Sequence, residues 1–170
     1  SETATLDLGA TPPAVAIFPD SGNNQINSGD GNDNITISNT GNSLGTLGVD
    51  AGNGDNRITI DGTNGVFSVT TGTGNDIITN NGLDNTLNAH AGAGDDELNG
   101  GSGPDTLNGG SGNDSLNGGD GNDTLIANES GIKTFRGGPG IDRYEVGITQ
   151  TAEEPASAVT IIDTGSLDPN

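Results

Sequence analysis

Eight positions in this chain carry a carboxylate or carboxamide at the end of a short glycine-rich run. They are Asp33, Asn56, Asp76, Asp96, Asp105, Asp114, Asp123 and Asp142, separated by 23, 20, 20, 9, 9, 9 and 19 residues. Glycines permit backbone conformations closed to other residues and leave carbonyl oxygens pointing into a turn, and Asp adds a carboxylate at its end. Such hard oxygen donors favour calcium, which takes about six to eight oxygens at about 2.3–2.6 Å with tolerant geometry, over magnesium or zinc. The chain has no Cys and a single His, so no thiolate or imidazole set competes for the metal.

The residues that must position these groups repeat with them. From Gly100 three contiguous units read GGSGPDTLN, GGSGNDSLN and GGDGNDTLI, with Leu107, Leu116 and Leu125 two places after each Asp. SGDGNDNIT from Ser28, AGNGDNRIT from Ala51, TGTGNDIIT from Thr71, AGAGDDELN from Ala91 and GGPGIDRYE from Gly137 keep the same skeleton. A glycine-rich half followed by one apolar residue at the eighth place predicts a tight turn and a very short strand with a single inward side chain. Two units then make one coil of a solenoid. The wide spacings predict coils with the motif at one turn and other chemistry at the opposite turn. Plain turns are expected around Gly41, Asp61-Gly62, Asn81-Gly82 and Asn128 to Gly131.

Alternation assigns Asp33, Asn56, Asp76, Asp96 and Asp114 to one edge of the coil and Asp105, Asp123 and Asp142 to the other. Strands in the first half, such as Ile35-Thr36-Ile37, Ile58-Thr59-Ile60 and Phe67-Ser68-Val69, alternate and point one face inward. The expected architecture is all-β, a flattened parallel coil. One turn supplies too few oxygens, so each ion is expected between turns stacked on one edge. Neighbouring motif turns then predict about six calcium ions, within a range of roughly four to eight.

Composition makes the metal part of the fold. Among 170 residues there are 31 Gly and 7 Pro, and 24 acidic residues face 4 basic ones for a formal charge of −20. Leu, Ile, Val and Phe together make 34 residues, or 20%, the boundary at which strongly charged chains fail to fold. Phe18, Phe67, Phe135 and Tyr144 are the whole aromatic complement. Six doubly charged ions would bring the −20 to about −8 and relieve most of the repulsion between stacked carboxylates.

The same charge argues against nucleic acid and anionic membranes as partners. No apolar run approaches the roughly 20 residues that span a bilayer, so membrane insertion is not expected. Without Cys there is no disulfide scaffold. The absence of Met and the start at Ser1-Glu2-Thr3 suggest a mature form or a piece of a larger parent protein, monomeric as an isolated fragment. There is no H-E-x-x-H, and a lone His90 in a turn reads as solvent-facing. No catalytic residue is therefore assigned, and no enzyme activity is expected. Arg57, Arg136 and Arg143 are expected to balance neighbouring carboxylates.

On these motifs, residues 28 to 145 resemble the repeats-in-toxin (RTX) family, the hemolysin-type calcium-binding nonapeptide β-roll domains of secreted bacterial proteins. The resemblance implies a right-handed parallel β-roll, a β-solenoid with calcium ions in the Gly/Asp-rich turns. It implies metal ligands at the first, third, fourth and sixth places of each unit. In the upstream units these are Ser28, Asp30, Gly31 and Asp33; Ala51, Asn53, Gly54 and Asn56; Thr71, Thr73, Gly74 and Asp76; and Ala91, Ala93, Gly94 and Asp96. In the downstream units they are Gly100, Ser102, Gly103 and Asp105; Gly109, Ser111, Gly112 and Asp114; Gly118, Asp120, Gly121 and Asp123; and Gly137, Pro139, Gly140 and Asp142. Two departures stand out: Asn56 replaces Asp, and coils of 20 to 23 residues exceed the family's usual length.

The resemblance further implies type I secretion of an unfolded chain, folding on calcium outside the cell, and a secreted, extracellular or cell-surface location. The expected organisation is an extended lead-in over 1–22, β-roll repeats over 23–145 and a flanking or capping segment over 146–170, in which Ala158 to Ile162 reads as a strand. The expected role is a non-enzymatic calcium-binding structural segment. The alternative is an adhesin or ligand-binding module for glycan or ice, presented on an outward ladder of Thr36, Thr59 and Thr79.

Overall fold

The computed structural model describes residues 22–38, 45–147 and 157–163, together with the backbone of strands at 5–7 and 14–17. The turn expected around Gly41 and the prolines at 12, 13 and 19 lie outside the described residues. All regular structure among the described residues is β. The strands are β1 (Thr5–Asp7), β2 (Ala14–Ile17), β3 (Asn23–Asn27), β4 (Asn34–Ser38), β5 (Thr46–Asp50), β6 (Arg57–Ile60), β7 (Val66–Thr70) and β8 (Ile77–Asn80). They continue as β9 (Thr86–His90), β10 (Glu97–Ser102), β11 (Thr106–Asn108), β12 (Asp114–Asp120), β13 (Thr124–Ala127), β14 (Ile132–Arg136), β15 (Arg143–Val146) and β16 (Ala158–Ile161).

Odd-numbered strands form one eight-stranded sheet and even-numbered strands the other, each in strict sequence order. Neighbours within a sheet are parallel. A chain that alternates sheets at every strand, with parallel neighbours one coil apart, is a two-sheet parallel β-solenoid, as the repeat spacing predicts. Strands β1 and β2 pair with β3 and β4, so part of the segment read as a lead-in adds a strand to each sheet. At the other end β16 pairs with β14, where the sequence reads as a strand.

The core is a set of columns running through the coils. On the even sheet Ile35, Ile58, Ile78, Leu98, Leu116 and Phe135 lie in register, all buried. Five of the six are the eighth residue of a nonapeptide unit. On the odd sheet Val49, Val69, Ala89, Leu107 and Leu125 make the facing column, and Tyr144 closes it against Phe135 with ring centroids 6.2 Å apart. Alternate residues point out, as in the buried Ile58 and Ile60 flanking half-exposed Thr59. The core is one side chain thick on each sheet, which is why a fifth of the composition in Leu, Ile, Val and Phe suffices.

One expectation needs enlarging. The contiguous units do not give uniformly short strands: β11 has three residues, but β10 has six and β12 seven. In the coil where one motif turn follows another after 18 residues, Gly101 and Ser102 pair with Gly119 and Asp120, so the ladder carries on through the turn.

Candidate metal centres

The topology sorts the turns onto two edges. Turns leading from the odd to the even sheet carry Asp33, Asn56, Asp76, Asp96 and Asp114, and turns leading back carry Asp105, Asp123 and Asp142. This is the division that alternation predicts. Glycines shape each turn: at Gly110 and Gly112 φ is +84° and +126°, a region that side-chain-bearing residues rarely enter. A Cβ on Gly112 would also strike the carbonyl oxygen of Gly94, one coil back.

Seven of the eight sixth-place groups, all but Asp33, are fixed by one of their oxygens among the described residues. Oδ1 accepts the backbone N–H of the matching residue one coil earlier: Asp33 to Asn56 at 3.0 Å, Asn56 to Asp76 at 2.7 Å, Asp76 to Asp96 at 2.8 Å and Asp96 to Asp114 at 3.1 Å. The opposite edge repeats this, with the N–H of Leu87 on Asp105, of Asp105 on Asp123 and of Asp123 on Asp142, at 2.7, 2.9 and 3.0 Å. These staples orient the second oxygen toward the interior of its own turn. There it occupies the space beside the first residue of the unit, so that a Cβ on Gly100, Gly109, Gly118 or Gly137 would meet the Oδ2 of Asp105, Asp114, Asp123 or Asp142. All eight first-place residues are buried, and none is larger than Thr.

Those second oxygens lack donors. Oδ2 of Asp33, Asp76, Asp96, Asp105, Asp123 and Asp142 is buried with no hydrogen-bond donor among the described residues. A buried carboxylate oxygen left in that condition is costly and calls for a proton or a cation. Burial accordingly pushes the carboxyls up from the ordinary 3.8: Asp105 to about 8, Asp96 to about 7 and Asp123 to about 6. Neighbouring carboxylates add to the rise in all three, Asp123 acting on Asp105, Asp114 and Asp76 on Asp96, and Asp142 and Asp120 on Asp123. Burial raises Asp76 and Asp114 as well.

Carbonyl oxygens complete the donor set. Third-place carbonyls already accept one bond, from the fourth-place N–H a coil earlier, as in Gly94 to Ser111 and Gly103 to Asp120. The fourth-place carbonyls of Gly31, Gly74, Gly94, Gly103, Gly121 and Gly140 accept no hydrogen bond among the described residues. No three acidic or histidine side chains converge among the described residues. Any ion held here is therefore bound by one or two carboxylates and a majority of backbone oxygens, a set that suits calcium.

Two turns differ, and each supplies its own hydrogen donor. In the second unit the Nδ2 of Asn56 takes the place of an Asp Oδ2 and donates to Gly54 O at 2.9 Å and Gly52 O at 3.3 Å. In the coil after Asp114 the turn read as plain, 128–131, keeps the register of the motif turns and brings Lys133 opposite Asp114. The truly plain turns use carboxamides: buried Asn85 accepts from Gly65 N and donates to Gly62 O and to Asn80 Oδ1.

The remaining predicted residues fall as follows. The third-place side chains of Asp30, Asn53, Thr73, Asp120 and Pro139 are exposed, and those of Ala93, Ser102 and Ser111 half-buried, so these units offer backbone oxygens there. Asp30 Oδ1 instead caps Asn53 of the next coil. Spacing alone missed a second ladder at the fifth place, where Asn32, Asp55, Asn75 and Asp95 each accept the N–H of the fifth residue one coil later. Its sequence signal is the unbroken Asn/Asp at that place along the first edge, from Asn32 to Asn113. Arg143 pairs with Glu145 at 2.9 Å in solvent, whereas Arg57 and Arg136 form no ion pair among the described residues. His90 is exposed on β9.

A parallel solenoid whose stacked turns present buried, donor-poor oxygens is a cation-binding repeat scaffold. The family model of the RTX calcium-binding nonapeptide repeat matches the chain in four copies, over residues 20–36 and 90–125. Those two stretches are similar to RTX calcium-binding repeats, and the units at Ala51, Thr71 and Gly137, outside them, repeat the positive φ of the fourth-place glycine. Neither a curated protein nor a solved structure matches the chain. No helix of the described residues is long and apolar enough to cross a membrane.

Proposed function

We propose that this chain is a calcium-binding structural β-roll, a segment of a larger secreted or cell-surface protein that completes its folding when calcium fills the turns outside the cell. The observation that carries the reading is the set of six buried Oδ2 atoms without donors among the described residues, five of them held in place by an Oδ1 staple. Each ion would be held by a sixth-place Oδ2, the fourth-place carbonyl of the same turn and third-place carbonyls of the next coil. Five such sites are complete among the described residues, those of Asp33, Asp76, Asp96, Asp105 and Asp123. Calcium would supply the positive charge that lets the stacked carboxylates stay ionised, so binding energy becomes folding energy. Extracellular calcium modules bind at roughly 10⁻⁴–10⁻³ M, which leaves such turns without calcium in the cytosol and fills them after export. A type I route, in which the chain leaves unfolded, fits that difference.

The deciding experiment is far-ultraviolet circular dichroism of the chelated protein, titrated with calcium and separately with magnesium. A coil-like spectrum that turns β-rich with millimolar calcium and not with magnesium supports the reading. A spectrum already β-rich in chelator and indifferent to calcium overturns it. A second reading, an adhesive module for glycan or ice, draws on the register that puts half-exposed Thr36, Thr59 and Thr79 in one outward column. A glycan array with calcium present, scored against a Thr59→Lys variant, tests that surface.

A further inference from the structure

Residues 128 to 136 form a ninth nonapeptide unit with a cation where the others have a carboxylate or, at Asn56, a carboxamide. Lys133 is paired with Asp114 across the ladder, and Phe135 with Leu116, so that they take the sixth and eighth places. Gly131 takes the fourth with φ +113°, matching +126° at Gly112. The Lys133 side chain is wholly shielded from solvent. Its Nζ lies 2.6 Å from Asp114 Oδ2, 2.6 Å from Gly112 O and 3.1 Å from Ser130 O. These are a sixth-place carboxylate oxygen, the fourth-place carbonyl of the same turn and a third-place carbonyl of the next coil. An ammonium has three protons, and each finds one of these oxygens.

We propose that Lys133 is a resident cation: its ammonium fills the position a calcium ion takes in the other turns and ends the row of ions on the first edge at the Asp114 turn. The inference rests on the calcium reading above. Asn56 shows the neutral form of the same device, since its Nδ2 bonds the carbonyls of its own turn directly. Asp114 is also the one sixth-place Asp whose Oδ2 faces a protein cation among the described residues. The first edge therefore has one end sealed without metal.

The test counts bound calcium by native mass spectrometry at saturating calcium, on the wild type, Lys133→Met, Lys133→Asp and Asp114→Asn. Opening the position in Lys133→Met or Lys133→Asp should add one ion to the wild-type count. Asp114→Asn should leave the count unchanged, whereas Asp123→Asn should lower it by one. Lys133→Met should need more calcium than the wild type to reach its full β signal because Asp114 loses its partner, and saturating calcium should close that gap. Should Lys133→Met not fold in chelator, the count at saturating calcium and the Asp114→Asn protein still decide. Equal counts for the wild type and both Lys133 variants, or loss of an ion in Asp114→Asn, would overturn the resident cation alone. A wild type that binds no calcium would overturn the calcium reading and this inference with it.

Discussion

The backbone N–H of Asp105 donates to Oδ1 of Asp123 at 2.9 Å across 18 residues of sequence. One carboxyl thus serves two purposes, closing the ladder with one oxygen and presenting the other to the turn interior. Asp123→Ala removes both functions and strands the Asp105 N–H, at about 1–3 kcal/mol for a buried unpaired donor. It should raise the calcium midpoint in a titration followed by circular dichroism. Asp142→Ala, at the half-exposed last motif turn, should raise it less; equal shifts would contradict this assignment of roles.

Asp123→Asn separates the two functions. The carboxamide keeps the Oδ1 acceptor and offers an N–H₂ to its own turn's carbonyls, as Asn56 does. In chelator this variant should keep more β signal than the wild type, and in millimolar calcium it should melt below the wild type. Thermal melts under both conditions check the crossing.

Acid should favour the metal-free fold. Asp96, Asp105 and Asp123 are raised to about 7, 8 and 6 from an ordinary 3.8, so the folded state holds protons that the unfolded state releases. Their stabilising effect is full below about pH 4 and is lost as pH rises through 6 to 8. A chelated sample should melt higher, or gain more β signal, at pH 5 than at pH 8. With calcium the dependence reverses, because the ion must displace those protons, and calorimetry in two buffers of different ionisation enthalpy should register proton release on binding near pH 6–7.

The plain turns should be sensitive to mutation at any calcium level. Asn85 is fully buried and its carboxamide satisfies Gly65 N, Gly62 O and Asn80 Oδ1. Asn85→Ala leaves those groups unpaired, with a loss of about 1–3 kcal/mol for each that water cannot reach. Denaturant unfolding should show a similar loss for this variant at limiting and at saturating calcium, in contrast to the Asp123 variants.

In the core, Leu116→Ala opens a cavity between Leu98 and Phe135 in the even-sheet column. The loss should be about 2–5 kcal/mol, read from denaturant unfolding at saturating calcium.

Much of this arrangement is legible before any coordinates. Nine-residue recurrence with Leu107, Leu116 and Leu125 in step identifies the coil and its inward residue, and alternation of the spacings identifies the two edges. Partnerships between coils are not legible, because they depend on register. The Oδ1 staples join residues 18 to 23 apart, and the fifth-place Asn/Asp ladder runs in the opposite direction along the same turns. Lys133 escapes a search for Asp even though it stands 19 residues after Asp114, because its charge is opposite and its unit keeps one of the three motif glycines. Asn80 and Asn85 look like ordinary turn formers. Only their burial reveals that they do for the plain edge what ions are proposed to do for the other turns.

The strict order of the two sheets has a mechanical consequence. Ladder hydrogen bonds run along the stack, and each coil bonds only to the coils before and after it. Eight strands at a spacing of about 4.8 Å make a rod about 34 Å long. Tension along the rod loads all the bonds between two coils at once, like rungs pulled in parallel. Force that drags one strand sideways off an end instead opens bonds in succession. Such a rod resists stretching far better than peeling, and its toughness at either end depends on whatever fastens the final turn.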